Sequence, residues 1–205
     1  MIYTDYKKKG SLYSIIKQQM NGATIQNYDI GQEYLILYGI SCFLESFHSD
    51  DKVHGGIKLT NVLLDDDFNP CITESCLFGV ISEKQSSNTT IDLIVSVPPE
   101  ILNDKKPTKE SDIYSFGILI LQVLKHEINV FSEHSENVES IEELIQKNIQ
   151  PIIPKDIPTQ LSEILESCFS EDPNQRPYAS DLKDVFEKIL NEERYKKRFD
   201  SFKYK

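Results

Sequence analysis

The chain has 205 residues, of which 39% are hydrophobic and 27% are charged, and its formal net charge is -11 at pH 7. This composition is typical of a folded globular protein, and the length fits one large domain with a substantial core. The acidic balance argues against a general binder of nucleic acid or of anionic membranes, because an acidic surface repels polyanions.

Targeting and membrane signals are weak in this sequence. The longest apolar run, residues 116–124, is far shorter than the roughly 20 residues needed to cross a bilayer, and residues 1–9 lack the apolar core of a signal peptide. The four cysteines are scattered without a C-x-x-C pair, so neither a zinc site nor a disulfide framework is indicated. We therefore expect a cytoplasmic protein with reduced cysteines and no membrane span.

The first predicted elements are a short strand at residues 2–5 and a turn at 7–10. Ser11 is a suitable cap for a helix that runs to about Gln19. A longer helix is predicted at 33–48; it is apolar over most of its circumference, which implies burial on several sides. Two short apolar runs, 62–64 and 71–73, flank a turn-rich segment and predict a β-hairpin.

The second half of the chain is predicted to be mainly helical. The predicted helices are 111–124, 140–146, 159–168 and 182–190, with prolines marking a linker at 151–158. The glutamate-rich stretch 132–143 is interpreted as a solvated loop, with an acidic docking patch as the alternative. The basic segment 191–205 is predicted to be a frayed helical extension, with a basic handle for an acidic partner as the alternative.

The rest of the chain is organised around residues 52–61, Lys-Val-His-Gly-Gly-Ile-Lys-Leu-Thr-Asn. This stretch resembles the catalytic loop of protein kinases, whose pattern His-Arg-Asp-Leu-x-x-x-Asn holds the general base and a metal-binding Asn. His54, Lys58 and Asn61 match the His, the Lys and the Asn of that loop. Gly55 and Gly56 stand where the family has the Arg and the catalytic Asp. Glycine has no acid, so the resemblance implies a loop that keeps its frame and lacks its base.

Three further segments resemble kinase motifs in the family's order. Pro98-Pro99-Glu100 is similar to Ala-Pro-Glu, and Asp112 lies in a segment similar to Asp-x-Trp-Ser-x-Gly. Residues 168–177 resemble the Cys-Trp-x-x-Asp-Pro-x-x-Arg-Pro motif of tyrosine-kinase-like and tyrosine kinases. The resemblance implies structural roles for these residues: Asp112 would accept backbone N–H bonds from the loop, and Arg176 would pair with Glu100.

The resemblance also implies where a nucleotide would lie. Residues 2–12 are similar to the last strand, the hinge and the first helix of the lower kinase lobe, with Thr4 as gatekeeper and Asp5 and Tyr6 as hinge. Together with Lys58 and Asn61, these are the candidate nucleotide-binding residues. No Gly-rich loop and no Val-Ala-x-Lys motif occur in the 205 residues. The predicted fold is therefore α+β and mainly α-helical: the C-terminal lobe of a kinase with a short β-hairpin and without the N-terminal lobe.

The metal position is the next departure from the family. Counting from Asn61, the Asp of Asp-Phe-Gly falls at position 74, where this chain has Glu74. The extra methylene moves the carboxylate by about 1.5 Å, and Mg²⁺ tolerates little geometric error. Glu74 is interpreted as a solvated or salt-bridged side chain, with a weak metal ligand as the alternative. Lys58 and Asn61 are interpreted as braces of the loop, with contacts to the transferred phosphate and a second Mg²⁺ as the alternative.

The resemblance implies a kinase-like domain at residues 1–190 that is catalytically impaired, needs no cofactor and binds protein partners in signalling, followed by a basic tail at 191–205. One alternative is a divergent Ser/Thr or Tyr kinase that uses ATP and Mg²⁺ and whose upper lobe was lost from this reading frame or is supplied by another chain. An in-frame Gly-rich loop upstream would favour that alternative. A non-functional remnant is the third hypothesis, and it predicts poor expression and a broad melting transition.

Overall fold

The computed structural model describes residues 9–73, 94–103, 105–134 and 140–202. The described part is mostly helical and carries a small antiparallel sheet of three strands. The helices are α1 (Leu12–Met20), α2 (Ile30–Ser49), α3 (Pro99–Leu102), α4 (Lys109–Lys125), α5 (Ile141–Gln146), α6 (Thr159–Cys168), α7 (Ala179–Leu190) and α8 (Glu193–Asp200). The strands are β1 (Gly10–Ser11), β2 (Val62–Leu64) and β3 (Pro70–Ile72), and single 3₁₀ turns lie at Leu59–Asn61, Ser132–His134 and Pro173–Gln175.

Two helices form the centre of the core. In α4 every residue from Ser111 to Val123 is buried, and α2 is buried over most of its length. Helices that are apolar on all sides require packing partners on all sides, and α7 packs along α2 with the Phe186 ring 6.4 Å from the ring of Tyr34. Within the described ranges, no helix is both long enough and apolar enough to span a membrane.

The helix starts follow the capping side chains. The predicted cap Ser11 is confirmed, since its Oγ accepts the backbone N–H of Ser14 at 3.3 Å. The α2 helix starts three residues before the predicted position, because the Asp29 side chain caps it. The α4 helix starts two residues before its predicted position, because Thr108 caps it and Ser111 lies inside its first turn.

The predicted hairpin is confirmed, and a third strand extends it. β2 and β3 pair with Leu63 opposite Cys71, and β1 pairs with β2 with Gly10 opposite Leu64. The hairpin lies against α2 at Gly39, where an added Cβ would come within 2.6 Å of Pro70. Only glycine allows this close approach without a shift of the hairpin, which is the segment that leads towards residue 74.

The expectation of a frayed C-terminal segment is wrong for residues 193–200. These residues form α8, a separate helix whose aromatic side chains pack on α2: the rings of Phe199 and Tyr38 are 5.1 Å apart and edge-on. Nη1 and Nη2 of Arg198 also donate to the carboxylate of Asp29, and this hydrogen bonding lowers the pKa of Asp29. Aromatic residues at helical spacing thus give the basic segment a packed face.

Candidate functional site

Asp112, in the first turn of α4, holds the backbone of the loop at residues 52–61. Its Oδ2 accepts a hydrogen bond from the backbone N–H of His54 at 2.8 Å, and its Oδ1 accepts one from Gly55 at 2.7 Å. The Asp112 residue is 1% exposed. Hydrogen bonds to an ionised carboxylate are roughly twice as strong as neutral ones. The buried start of α4 therefore sets the position of the loop.

His48 is a third donor to Asp112, and the sequence analysis missed it. It lies in the last turn of α2, and its Nε2 is 3.0 Å from Oδ2 of Asp112. Because the carboxylate oxygen is the acceptor, Nε2 carries the proton. A lone histidine in the last turn of a buried apolar helix, shortly before His54, was the available signal.

Gly55 has a backbone that favours glycine. Its φ is +65°, and an added Cβ would lie 3.2 Å from Cβ and 3.3 Å from Cγ of Pro107. A non-glycine residue in the left-handed region costs about 1–2 kcal/mol. Pro107 therefore lies against the space into which a side chain at position 55 would extend.

Gly56 and Asn61 are joined across the turn of the loop. The carbonyl oxygen of Gly56, a buried residue, accepts a hydrogen bond from Nδ2 of Asn61 at 2.7 Å. The backbone oxygen of Asn61 accepts the N–H of Thr73 at 2.9 Å. Asn61 thus connects the loop to the end of β3, and its Oδ1 is the side-chain oxygen that it can still offer.

His54 makes a second connection to the same strand end. Its Nε2 donates to the carbonyl oxygen of Thr73 at 3.0 Å, and its ring lies 6.0 Å from the ring of Phe43 and 6.1 Å from that of Phe47. Its Nδ1 is buried and has no hydrogen-bond partner among the described residues. These contacts hold the loop against the residue that precedes position 74.

Arg176 and Glu100, which the sequence predicted to pair, form a bidentate ion pair. Nη1 and Nη2 of Arg176 donate to the two carboxylate oxygens at 2.6 and 2.9 Å. Nη1 also donates to the backbone oxygen of Glu110, and Nε donates to that of Ser170. The guanidinium carbon lies 5.1 Å from the ring centroid of Tyr114, whose pKa is raised by burial. This buried charge joins the segments around residues 100, 110 and 170.

The short helix α3 presents Glu100 to this pair. Pro99 is its first residue, where the missing N–H of proline leaves no hydrogen bond unmade and its fixed φ suits the helix. Glu100 follows it and is 8% exposed. This single helical turn thus sets the position from which Glu100 contacts Arg176.

The protein tyrosine and serine/threonine kinase family model matches residues 1–186 of the chain. The chain belongs to this kinase family. Its relatives include two proteins of Dictyostelium discoideum: the RGS domain-containing serine/threonine-protein kinase A, 28% identical over 177 residues, and the dual specificity protein kinase pyk3, 27% identical over 187 residues. A third, the probable serine/threonine-protein kinase kinY of the same organism, is 26% identical over 197 residues.

These matches cover 85%, 88% and 93% of this chain, in the order RGS kinase A, pyk3 and kinY. They cover 15%, 13% and 33% of those relatives, so the chain spans a third or less of the length of each. The comparison therefore concerns the kinase domain and not the remainder of those proteins.

In this kinase family the loop motif assigns a role to each position. The general base is the Asp that follows His-Arg, and the resemblance of residues 52–61 to that motif aligns Gly56 with it. The Arg position is Gly55, and Lys58 and Asn61 keep the family's residues. Lys58 is half-exposed, and no carboxylate of the described residues pairs with it.

Kinases of this family use ATP and Mg²⁺. The metal ligands of the family can therefore be compared with the side-chain oxygens of this chain. Mg²⁺ in kinases is held by a carboxylate, an Asn and the phosphates. Within the described ranges no group of three or more His, Cys, Asp or Glu side chains is placed to hold a metal ion. Of the loop residues, Asn61 alone supplies a family metal ligand, and it is uncharged. The chain's residue at the family's carboxylate position, Glu74, lies outside the described residues.

The remaining predicted site residues lie outside the described ranges. They are Thr4, Asp5 and Tyr6 of the hinge-like segment and Glu74 at the metal position. The structure thus brings together His54, Gly55, Gly56, Asn61 and Asp112. The Glu100–Arg176 pair is tied to the first turn of the same α4 through the Glu110 carbonyl.

Proposed function

We propose that this chain is a kinase-like module that does not transfer phosphate and that acts through contacts with other proteins in signalling. The observation that carries the proposal is Gly56, which stands at the position of the general base. General base catalysis contributes about 10²- to 10⁴-fold in rate, or roughly 3–5.5 kcal/mol. A glycine at this position removes that contribution while the contacts of Asp112 persist.

No neighbouring acid compensates for this loss within the loop. Residues 52–61 contain neither Asp nor Glu. The carboxylate that holds the loop backbone, Asp112, is 1% exposed and accepts hydrogen bonds from His48, His54 and Gly55. A carboxylate engaged in this way holds backbone and does not accept a substrate proton.

A divergent protein kinase is the second candidate. The names of the relatives favour it, since they are serine/threonine or dual specificity kinases. Lys58 and Asn61, which would contact the transferred phosphate and a metal in an active kinase, are also present. ATP and Mg²⁺ would be its cofactors.

Phosphate transfer from radioactive ATP to a general protein substrate separates the two candidates. The wild-type chain, the Gly56→Asp variant and the Lys58→Ala variant are assayed side by side with Mg²⁺. We expect no transfer above background by the wild-type chain or by Lys58→Ala. Wild-type turnover that Lys58→Ala abolishes would refute the proposal and establish the kinase.

The kinase group, the cellular compartment and the domain bounds of this chain are part of the same proposal. The motif at residues 168–177 supports the tyrosine-kinase-like group within the family, and the scattered cysteines support a cytoplasmic setting. We place the kinase-like domain at residues 1–190 and treat 191–205 as an appended basic segment. The packing of α8 on α2 supports the attachment of that segment to the domain.

A further inference from the structure

A cavity of about 590 Å³ lies apart from the loop, where the end of α2, the start of α4 and the start of α7 meet. None of residues 52–61 lines it. Its wall includes His48 and Arg176, the side chains that hold Asp112 and Glu100. The two anchors of the scaffold therefore share one cavity that opens to solvent.

His48 turns an acceptor towards this cavity. Its side chain is 10% exposed, and Nε2 is used by Asp112. Nδ1 has no hydrogen bond to a described residue and is not among their fully buried unsatisfied atoms, so the cavity reaches it. When the ring is neutral, Nδ1 is an acceptor that lacks a donor. A ligand with N–H groups would satisfy it.

The charges along the wall favour the same chemistry. The cations are already engaged, Arg176 by Glu100 and Lys109 by Asp51 at 2.7 Å. The carboxylate of Glu110 accepts a hydrogen bond from the Thr108 side chain and lies in the electrostatic field of His48 and Arg176, but it forms no ion pair with another described residue. The Asp181 carboxylate accepts a backbone N–H and likewise has no cationic partner in the described part of the chain. The cavity therefore offers acceptors and negative charge.

An exposed aromatic ring borders these acceptors. Tyr178 lines the cavity and is 78% exposed, the highest value among the large hydrophobic residues that the structure describes. Its backbone N–H is held by Asp181 at 2.8 Å, which fixes the turn that presents the ring. A ring face next to carboxylates attracts a planar cation through stacking and cation–π contact.

We propose that this cavity binds the guanidinium of an arginine side chain from a partner protein. The planar group would stack on Tyr178 and donate to Glu110 and to Nδ1 of His48. Occupancy would be sensed at the loop, because His48 and Gly55 share the carboxylate of Asp112. The site is separate from the phosphate-transfer position, so the proposal holds whether or not the chain is a kinase.

Nuclear magnetic resonance of the full isotope-labelled chain tests the proposal. The probe is Nα-acetylarginine methylamide, and the matched control is its neutral citrulline analogue. We expect saturable shifts at the amides of Tyr178 and Gly55 and at the ring nitrogens of His48. Glu110→Gln and Tyr178→Ala should each weaken binding about two- to fivefold. The matched variant Glu166→Gln, on the exposed face of α6, should not change it.

The binding measurements can support or overturn the arginine site. Saturation by the arginine probe, with weaker binding of citrulline and of both cavity variants, supports the site. Equal binding of citrulline, equal effects of Glu110→Gln and Glu166→Gln, or no saturable shift at Tyr178 and His48 would overturn it. Shifts at Tyr178 and His48 without a shift at Gly55 would refute the connection to the loop.

Discussion

A hydrogen bond of 2.7 Å joins the carboxylate of Asp112 to the backbone of Gly55. The residues on its α4 side and the residues on its loop side differ in which kinase motif side chains are present. On the α4 side, Asp112 has three hydrogen-bond donors, and the nearby Arg176 donates four hydrogen bonds, two of them to Glu100. On the loop side, Gly55 and Gly56 are the residues that the resemblance to the kinase motif aligns with its Arg and its Asp.

The difference indicates that the buried scaffold residues are required for folding, whereas the Arg and the Asp of a catalytic loop are required for phosphate transfer. A buried charge without its partner costs the protein stability, so the scaffold pairs are needed for folding. The Arg and the Asp of a kinase catalytic loop act on phosphate and substrate, so the backbone bonds of the loop do not depend on them. In this chain the loop is held by main-chain N–H groups, which glycine provides as well as any residue, and by the side chains of His54 and Asn61.

The largest expected effect is at the scaffold. Arg176→Ala leaves Glu100 buried without its partner, and we expect a loss of about 3–5 kcal/mol in the free energy of unfolding. Urea unfolding measures it. The control is Arg194→Ala, whose side chain is 63% exposed and pairs with Glu192; it should cost about 0–1 kcal/mol. Equal losses in the two variants would contradict the division between scaffold and surface.

A smaller effect is expected on the loop side. Gly55→Ala places a side chain in the left-handed region and against Pro107, and we expect a loss somewhat above the about 1–2 kcal/mol of the backbone alone. Gly22→Ala is the matched control, because Gly22 has φ +76° with no atom within 4 Å of the added Cβ. Thermal or urea unfolding compares the two. A smaller loss for Gly55→Ala than for Gly22→Ala would show that Pro107 does not restrict position 55.

A third prediction concerns a scaffold carboxylate remote from the loop. Glu33 is 2% exposed, and its Oε1 lies 2.7 Å from Nε2 of His126 and 3.3 Å from Nε2 of Gln19. Burial raises its pKa above the ordinary value of 4.5, against the opposing effect of His126. The folded state therefore binds this proton more tightly than the unfolded state, and the resulting stability is lost as the pH rises above about 4.5.

Glu33→Gln removes this titration. We expect the stability of the wild type relative to Glu33→Gln to fall as the pH rises from 4.5 towards neutrality, measured by urea unfolding at each pH. The effect should be smaller than that of Arg176→Ala because His126 partly compensates the charge. A difference between the two proteins that is constant or increases with pH would contradict the raised pKa.

Much of the scaffold could be predicted from local signals. Ser11 was identified as a helix cap, the bounds of α6 were predicted as residues 159–168, and the hairpin was placed within one residue of β3. These features depend on short-range patterns of polar caps, prolines and apolar spacing. The pairing of Arg176 with Glu100 depended instead on the resemblance to kinase motifs, since no local pattern brings together residues 76 positions apart.

The features that were missed depend on distant contacts. β1 is two residues long and exists because Gly10 and Ser11 meet Leu64 and Leu63. His48 becomes significant only once α4 places Asp112 beside it. The α8 helix is stabilised by aromatic rings of α2. The charged residues that dominate its sequence give no indication of that contact.

Amide hydrogen exchange at His54 and Gly55 tests the central claim most directly, namely that α4 holds the loop without its acid. We predict that both amides are protected in the wild type and in Gly56→Asp, and that Asp112→Asn accelerates their exchange about 10- to 150-fold, since hydrogen bonds to charged groups contribute about 1.5–3 kcal/mol. Rapid exchange in the wild type, or exchange that Asp112→Asn leaves unchanged, would contradict the account.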